Sequence, residues 1–330
     1  MKKQSPPVSK YNAWNPGLNS SLPPRLLPFV TLFLPENSHV GYPEAKEASD
    51  FCGLPVEQLC VLRIERLVIH EVLVRVTSDL SVPDDPSYEY LGIQIRGMAD
   101  QIFQNHMIPE MPEIAERYEK ICKKAELLIR ELFDSALKEE LLDHGRKASK
   151  KRNIFNIFKS KNRAPEPPSG SREEIVLSQL REQKYFSDDF TSACISALVM
   201  IISGIMGKQG RLVTDQNLIT NLSLRLFMND YGSREVGKII TSRFVKAAKA
   251  EGYRFLPAQS NPIVMNTKGA SASGKSTIRP KQRILAEKLG VAWEDFALIS
   301  PDYWRKYLLD YQSMGEDYKY AAMLTGRELE

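Results

Sequence analysis

Eight residues, Gly269-Ala270-Ser271-Ala272-Ser273-Gly274-Lys275-Ser276, carry the spacing Gly-x4-Gly-Lys-Ser, and no other stretch limits the possible folds so sharply. Glycines at both ends let the backbone curl until successive N–H groups point into one anion-sized cavity, and a following helix adds its positive N-terminal end. Such a loop needs a strand before it and a helix after it. Ile263-Val264-Met265-Asn266-Thr267 is a short apolar run suited to a buried parallel strand. Lys281 to Leu289 reads as the helix, closed by Gly290. Pro280 is tolerable in that helix only within its first turn, where the missing amide has no partner anyway. A flexible Gly/Ser linker that contains a lysine is the alternative reading of the loop.

The rest of the chain looks helical. Nine prolines between Pro6 and Pro55 make residues 1–54 a largely irregular segment, with a short apolar piece at Phe29 to Leu34 that tucks against the body. From Pro55 to about Asp79 the pattern predicts one helix, with Arg63, Arg66 and His70 on one charged face and Glu71 and Arg75 as an i,i+4 pair. After a turn at Pro83-Asp84-Asp85-Pro86, a second helix is expected from Tyr88 to Asn105. In a third, running to about Asp143, Ile114, Ile121 and Leu128 recur by sevens with Tyr118, Ala125 and Leu132 between them. Residues 55–144 are thus one helical region and 145–171 a basic, Pro-rich linker. A second helical region, 172–257, opens with a capping box from Ser171 to Glu174 and packs with the first as one bundle. Phe190 to Gly207 is apolar enough to raise a membrane span, but it holds Thr191, Ser192, Ser196 and Ser203 and reads as a buried bundle helix. Two amphipathic helices follow, near Thr214 to Asn229 and Ser233 to Glu251.

Chemistry concentrates in residues 258–330. In a phosphate loop Lys275 reaches the β- and γ-phosphates of a nucleotide, and Ser276 offers an oxygen to Mg²⁺; Gly269 through Thr277 form the candidate nucleotide-binding set. Phe296-Ala297-Leu298-Ile299 reads as a second strand that delivers Ser300-Pro301-Asp302-Tyr303-Trp304-Arg305 at its carboxyl end, where open α/β sheets place ligands. There Asp302 is suited to take the proton of an acceptor hydroxyl; it is equally suited to start the next helix as a cap.

Phosphate loop, helix, a second strand ending in Asp-x-x-Arg, Tyr318 and the stretch from Ala321 to Gly326 together resemble the zeta-toxin P-loop kinases. Members of that family move the γ-phosphate of ATP to a hydroxyl of a UDP-activated amino sugar. The resemblance implies ATP and Mg²⁺ as cofactors, a small-molecule acceptor, and Lys275, Asp302 and Arg305 as the catalytic set, with Ser276 on the metal. Ser300 stands where many members have an aspartate. The expected fold class is therefore mainly α, a helical bundle followed by the start of a P-loop α/β kinase domain. Only 55 residues follow Lys275, fewer than such a domain needs, so the chain is expected to be a piece of a longer protein.

Charge and cysteines bound the partners. Lys and Arg number 45 against 41 Asp and Glu. Eight of the basic residues fall between Arg146 and Arg163 with no acid among them; without them 37 face 41. The basicity is one segment, which argues against a specific nucleic-acid surface. With Ile154, Phe155, Ile157 and Phe158 interleaved, that segment (146–163) suits a weak contact with an anionic membrane or a solvated linker. His70-Glu71 begins a zinc-helix pattern, but Val74 holds the second ligand position. Cys52, Cys60, Cys122 and Cys194 lie far apart with no Cys-x-x-Cys pair, and no signal-peptide pattern opens the chain, as for reduced thiols in the cytoplasm. The alternative function is a helical protein-interaction or effector module whose phosphate loop binds nucleotide without catalysis.

Overall fold

The computed structural model describes residues 22–83, 88–150, 172–268, 275–310 and 313–326. The chain is mainly α, as expected. Eleven α-helices are found among the described residues: α1 (Tyr42–Cys52), α2 (Ile64–Asp79), α3 (Tyr88–Ile102), α4 (Met111–Lys150), α5 (Arg172–Tyr185), α6 (Asp189–Gln209), α7 (Gln216–Phe227), α8 (Ser233–Ala250), α9 (Arg279–Lys288), α10 (Pro301–Leu308) and α11 (Ala321–Leu324). Contacts group the chain into two compact units. One holds the described parts of 1–31, 69–109 and 242–330, the other 32–68 and 110–241.

The second of these units is a bundle. Its longest member, α4, rises about 60 Å at 1.5 Å per residue. Met111, Ile114, Ala125, Ile129, Leu132, Phe133 and Ala136 make its buried face, while Glu113–Arg117, Glu116–Lys120, Glu119–Lys123 and Glu126–Arg130 pair along the outside at i,i+4. The expected seam is there in part: Ile114, Ala125 and Leu132 are buried, Tyr118, Ile121 and Leu128 are only half-buried, and Ile129 is buried beside them. Helix α6 packs against α1, α4, α5 and α7. Asp188 caps it, accepting from the Thr191 amide at 2.7 Å, and Cys194, Ile195, Leu198, Ile201, Ile202 and Ile205 are buried along one side. The run from Phe190 to Gly207 is thus a core helix of this bundle, long and apolar enough on composition alone to cross a membrane.

Three expectations are corrected here. Residues 1–54 hold a regular helix, α1, started by Pro43 in its first turn and ended by Gly53 at φ 74°. The helix expected from Pro55 is broken: Val56–Leu59 is a 3-10 turn, and Cys60 is extended. The chain then pairs with residues 37–39, the His39 amide donating to Val61 O and the Arg63 amide to Asn37 O, each at 2.8 Å. That pairing takes Arg63 off the helix and Arg66 is buried, so no exposed charged face forms; Glu71 and Arg75 do pair, at 2.8 Å. Helix α4 continues through 145–150, past the expected start of the linker. The turn at 84–86, the Ser171 cap and residues 151–171 lie outside the described residues.

In the other unit the end of α2 meets the segment after α8. The Ser81 amide donates to Arg254 O and the Leu256 amide to Asp79 O, both at 2.8 Å, around a bridge between Leu80 and Phe255. His106 lies 2.7 Å from Glu251, and Ser81 Oγ donates to the carbonyl of Glu294 at 2.8 Å. Thr31, at the end of the N-terminal stretch, donates to the Leu324 carbonyl at 3.1 Å.

The two runs expected as parallel strands are not strands among the described residues. Residues 263–267 and 296–299 have no ladder partner, and Val264 and Ile299 are 85% and 72% exposed. An extended run becomes a strand only when neighbouring strands accept its amides and helices cover its faces. Neither condition is met among the described residues, so the α/β part of the expected fold is not seen.

Candidate functional site

Helix α9 begins shortly after the glycine-loop residues, where a helix is expected. A 3-10 turn, Lys275–Ile278, feeds straight into it, so Pro280 falls at the second position of the α-helix, where it has no hydrogen bond to break. Gly290, at φ 74°, follows its end. One turn into α9, Gln282 Nε2 donates to Thr267 Oγ1 at 2.9 Å. This bond ties the chain just before the glycine loop to the helix just after it. Gly269, Ala270, Ser271, Ala272, Ser273 and Gly274 themselves lie outside the described residues. Lys275 and Ser276 are placed by backbone at the head of the 3-10 turn, and Thr277 beside them is exposed. A Mg²⁺ ion at this site would be held by Ser276 and the phosphates of the nucleotide.

Asp302 and Arg305 come together on α10. Ser300, not Asp302, is the cap: its hydroxyl accepts from the Asp302 amide at 3.4 Å. Asp302 sits in the first turn, where a carboxylate suits the positive end of the helix. Its side chain is 57% exposed, and Arg305 Nη1 meets its Oδ1 at 3.2 Å. An accessible carboxylate beside a guanidinium can accept a proton from a hydroxyl while the cation faces incoming negative charge.

Contacts to the early part of the chain hold α10 in place. Tyr303 is 4% exposed. A Cβ added at Gly92 of α3 would stand 3.0 Å from the Tyr303 ring, so the glycine is what lets this ring approach the α3 backbone. Trp304 lies edge-on to the His70 imidazole, with centroids 5.2 Å apart. Tyr307 Oη donates to Asp100 Oδ1 at 2.9 Å. Sequence reasoning missed all three contacts. In the sequence His70 belongs to the expected charged face and heads an incomplete zinc pattern, and residues more than 200 positions apart leave no spacing signal.

The bundle unit has a feature of its own. A cleft of about 310 Å³ opens between α6 and the end of α7, lined by Ala193, Ala197, Met200, Leu226, Asp230 and Tyr231 among others. Phe227 and Tyr231 stack beside it at 5.1 Å.

No protein-family model, curated protein or solved structure matches the chain.

Proposed function

We propose that this chain carries an ATP-dependent phosphotransferase centre of the zeta-toxin kind, which moves the γ-phosphate of ATP to a hydroxyl of a nucleotide-sugar or similar small acceptor in the cytoplasm. The observation that carries the reading is the Gly269 to Ser276 motif at the head of a helix whose Gln282 ties back to Thr267. The pairing of Asp302, on the first turn of α10, with Arg305, one turn further along, supports it. In this reaction the acceptor O–H gives its proton to Asp302 as its oxygen bonds the γ-phosphorus. The bond from that phosphorus to the β–γ bridging oxygen breaks, and ADP leaves. Lys275 and Arg305 supply the positive charge that offsets the transferring group, and a Mg²⁺ ion, if bound at Ser276, would add further charge neutralisation there.

Two variants test the assignment. Mg-ATP should raise the melting temperature of the wild type, because a ligand that binds only the folded state stabilises it. Lys275→Ala should lose both this shift and transfer to UDP-N-acetylglucosamine. Asp302→Asn should keep the shift and lose transfer. Transfer that survives Asp302→Asn removes the base role, and a wild type that Mg-ATP does not stabilise removes nucleotide binding.

The α6–α7 cleft, with Met200 43% exposed at its edge, favours a second reading in which the bundle is a protein-interaction module. That reading gains if Mg-ATP has no effect on melting.

A further inference from the structure

We infer that Asp100 of α3 is a positioning residue for Asp302, and that it acts through Tyr307. The inference rests on the phosphotransferase reading above. Helix α10 has eight residues, well short of the roughly 12–15 that an isolated helix needs to persist in water. Its orientation must therefore come from what it packs against. Tyr303, Trp304 and Tyr307 stand at i, i+1 and i+4, so they share one face, and each meets a residue between His70 and Asp100. Asp302 is exposed on the same short helix.

Each residue turns a helix by about 100°, so a small rotation of α10 re-aims the Asp302 carboxylate. The contacts of Tyr303 with Gly92 and of Trp304 with His70 are packing contacts and tolerate some rotation. The bond from Tyr307 Oη to Asp100 Oδ1 is directional, and it lies one turn beyond the ion pair of Asp302 with Arg305. It is a hydrogen bond that a rotation of the helix would break. A general base has to lie within hydrogen-bond reach of the proton it takes, and misplacement on the scale of 1 Å costs up to about a hundredfold in rate. A part of the chain with no motif of its own thereby sets the geometry of the proposed base.

The test uses the full chain with ATP and UDP-N-acetylglucosamine as probe substrates. Tyr307→Phe and Asp100→Ala should each lower kcat about tenfold and leave KM for ATP unchanged, since the Lys275 loop is untouched. Asp100→Asn, which keeps an acceptor oxygen for the tyrosine, should restore kcat. The double variant Tyr307→Phe with Asp100→Ala should be no slower than either single one, because both remove the same bond. Gly92→Ala, which pushes on Tyr303 instead, should show the same loss of kcat alone. Equal losses in kcat and in ATP affinity, or no rescue by asparagine, would mean a merely structural role and overturn the inference.

Amide exchange over residues 301–308 in the same variants separates this inference from the reading beneath it. If the wild type transfers no phosphate, the phosphotransferase reading falls; faster exchange in Tyr307→Phe and Asp100→Ala but not in Asp100→Asn still shows Asp100 holding α10. Wild-type turnover with unchanged kcat and unchanged exchange in the variants overturns the positioning role alone.

Discussion

Arg25 grips Asp317 with both ends of its guanidinium, Nη1 to Oδ2 at 2.8 Å and Nη2 to Oδ1 at 2.5 Å, across 292 residues of sequence. A fork meeting a carboxylate in this way fixes direction as well as distance. Here it joins the 3-10 turn at Pro24–Phe29 to the one at Gly315–Tyr320, and the buried bond from Thr31 to Leu324 reinforces the join.

This pair should show itself through pH. The Arg25 hydrogen bond holds the Asp317 carboxyl below its usual value of 3.8, while Arg25 is pushed upward and stays charged throughout. A carboxyl whose folded value is depressed contributes stability that is fully present above the unfolded value and is lost as pH falls through the folded one. The difference in urea midpoint between wild type and Arg25→Met should therefore be constant near neutral pH and shrink below about pH 4. A difference that does not change with pH would remove the ion pair as its cause.

Gly204 of α6 faces the carbonyl of Cys52 at the end of α1 so closely that an added Cβ would overlap it. The obstacle is backbone, which cannot swing aside as a side chain would. Gly204→Ala should therefore destabilise the bundle by roughly 1–3 kcal/mol, read by urea unfolding, even though alanine is the better helix former. A neutral or stabilising result would mean that α1 and α6 do not approach in this way.

Burial makes all four thiols poor nucleophiles. Desolvation pushes Cys60 and Cys122 up to about 11 and Cys194 to about 12, and Cys52 is raised for the same reason. The reactive form is the thiolate. At pH 8 iodoacetamide should therefore leave Cys52, Cys60 and Cys194 unmodified in the folded chain, label Cys122 slowly, and modify all four in urea, as counted by intact mass. Rapid labelling of Cys194 in the native state would contradict the burial of that side of α6.

Local patterns reported the helices well, for a physical reason. The apolar face of α4 and the Gly290 stop depend on neighbours within a turn or two, and many of the same residues do the work in the structure. The helix expected from Pro55 failed where a distant partner intervened: pairing of residues 61–63 with 37–39 outbid local helix propensity. Residues 263–267 and 296–299 failed for the related reason that β-structure is made between segments. A run of apolar residues states a capacity to pair and says nothing of what it pairs with.

The candidate site divides along the same line. The glycine loop, its lysine and serine, and the i,i+3 spacing of Asp302 and Arg305 are legible in the sequence, because each is a statement about residues a few positions apart. The seating of α10 on Gly92, His70 and Asp100 belongs to tertiary structure, because a ring against a glycine and a hydroxyl on a carboxylate are relations in space between residues more than 200 positions apart. Covalent neighbourhood determined which groups this chain can offer to a ligand. Packing decided what holds the helix that carries Asp302, since eight residues have too few hydrogen bonds of their own to fix a direction.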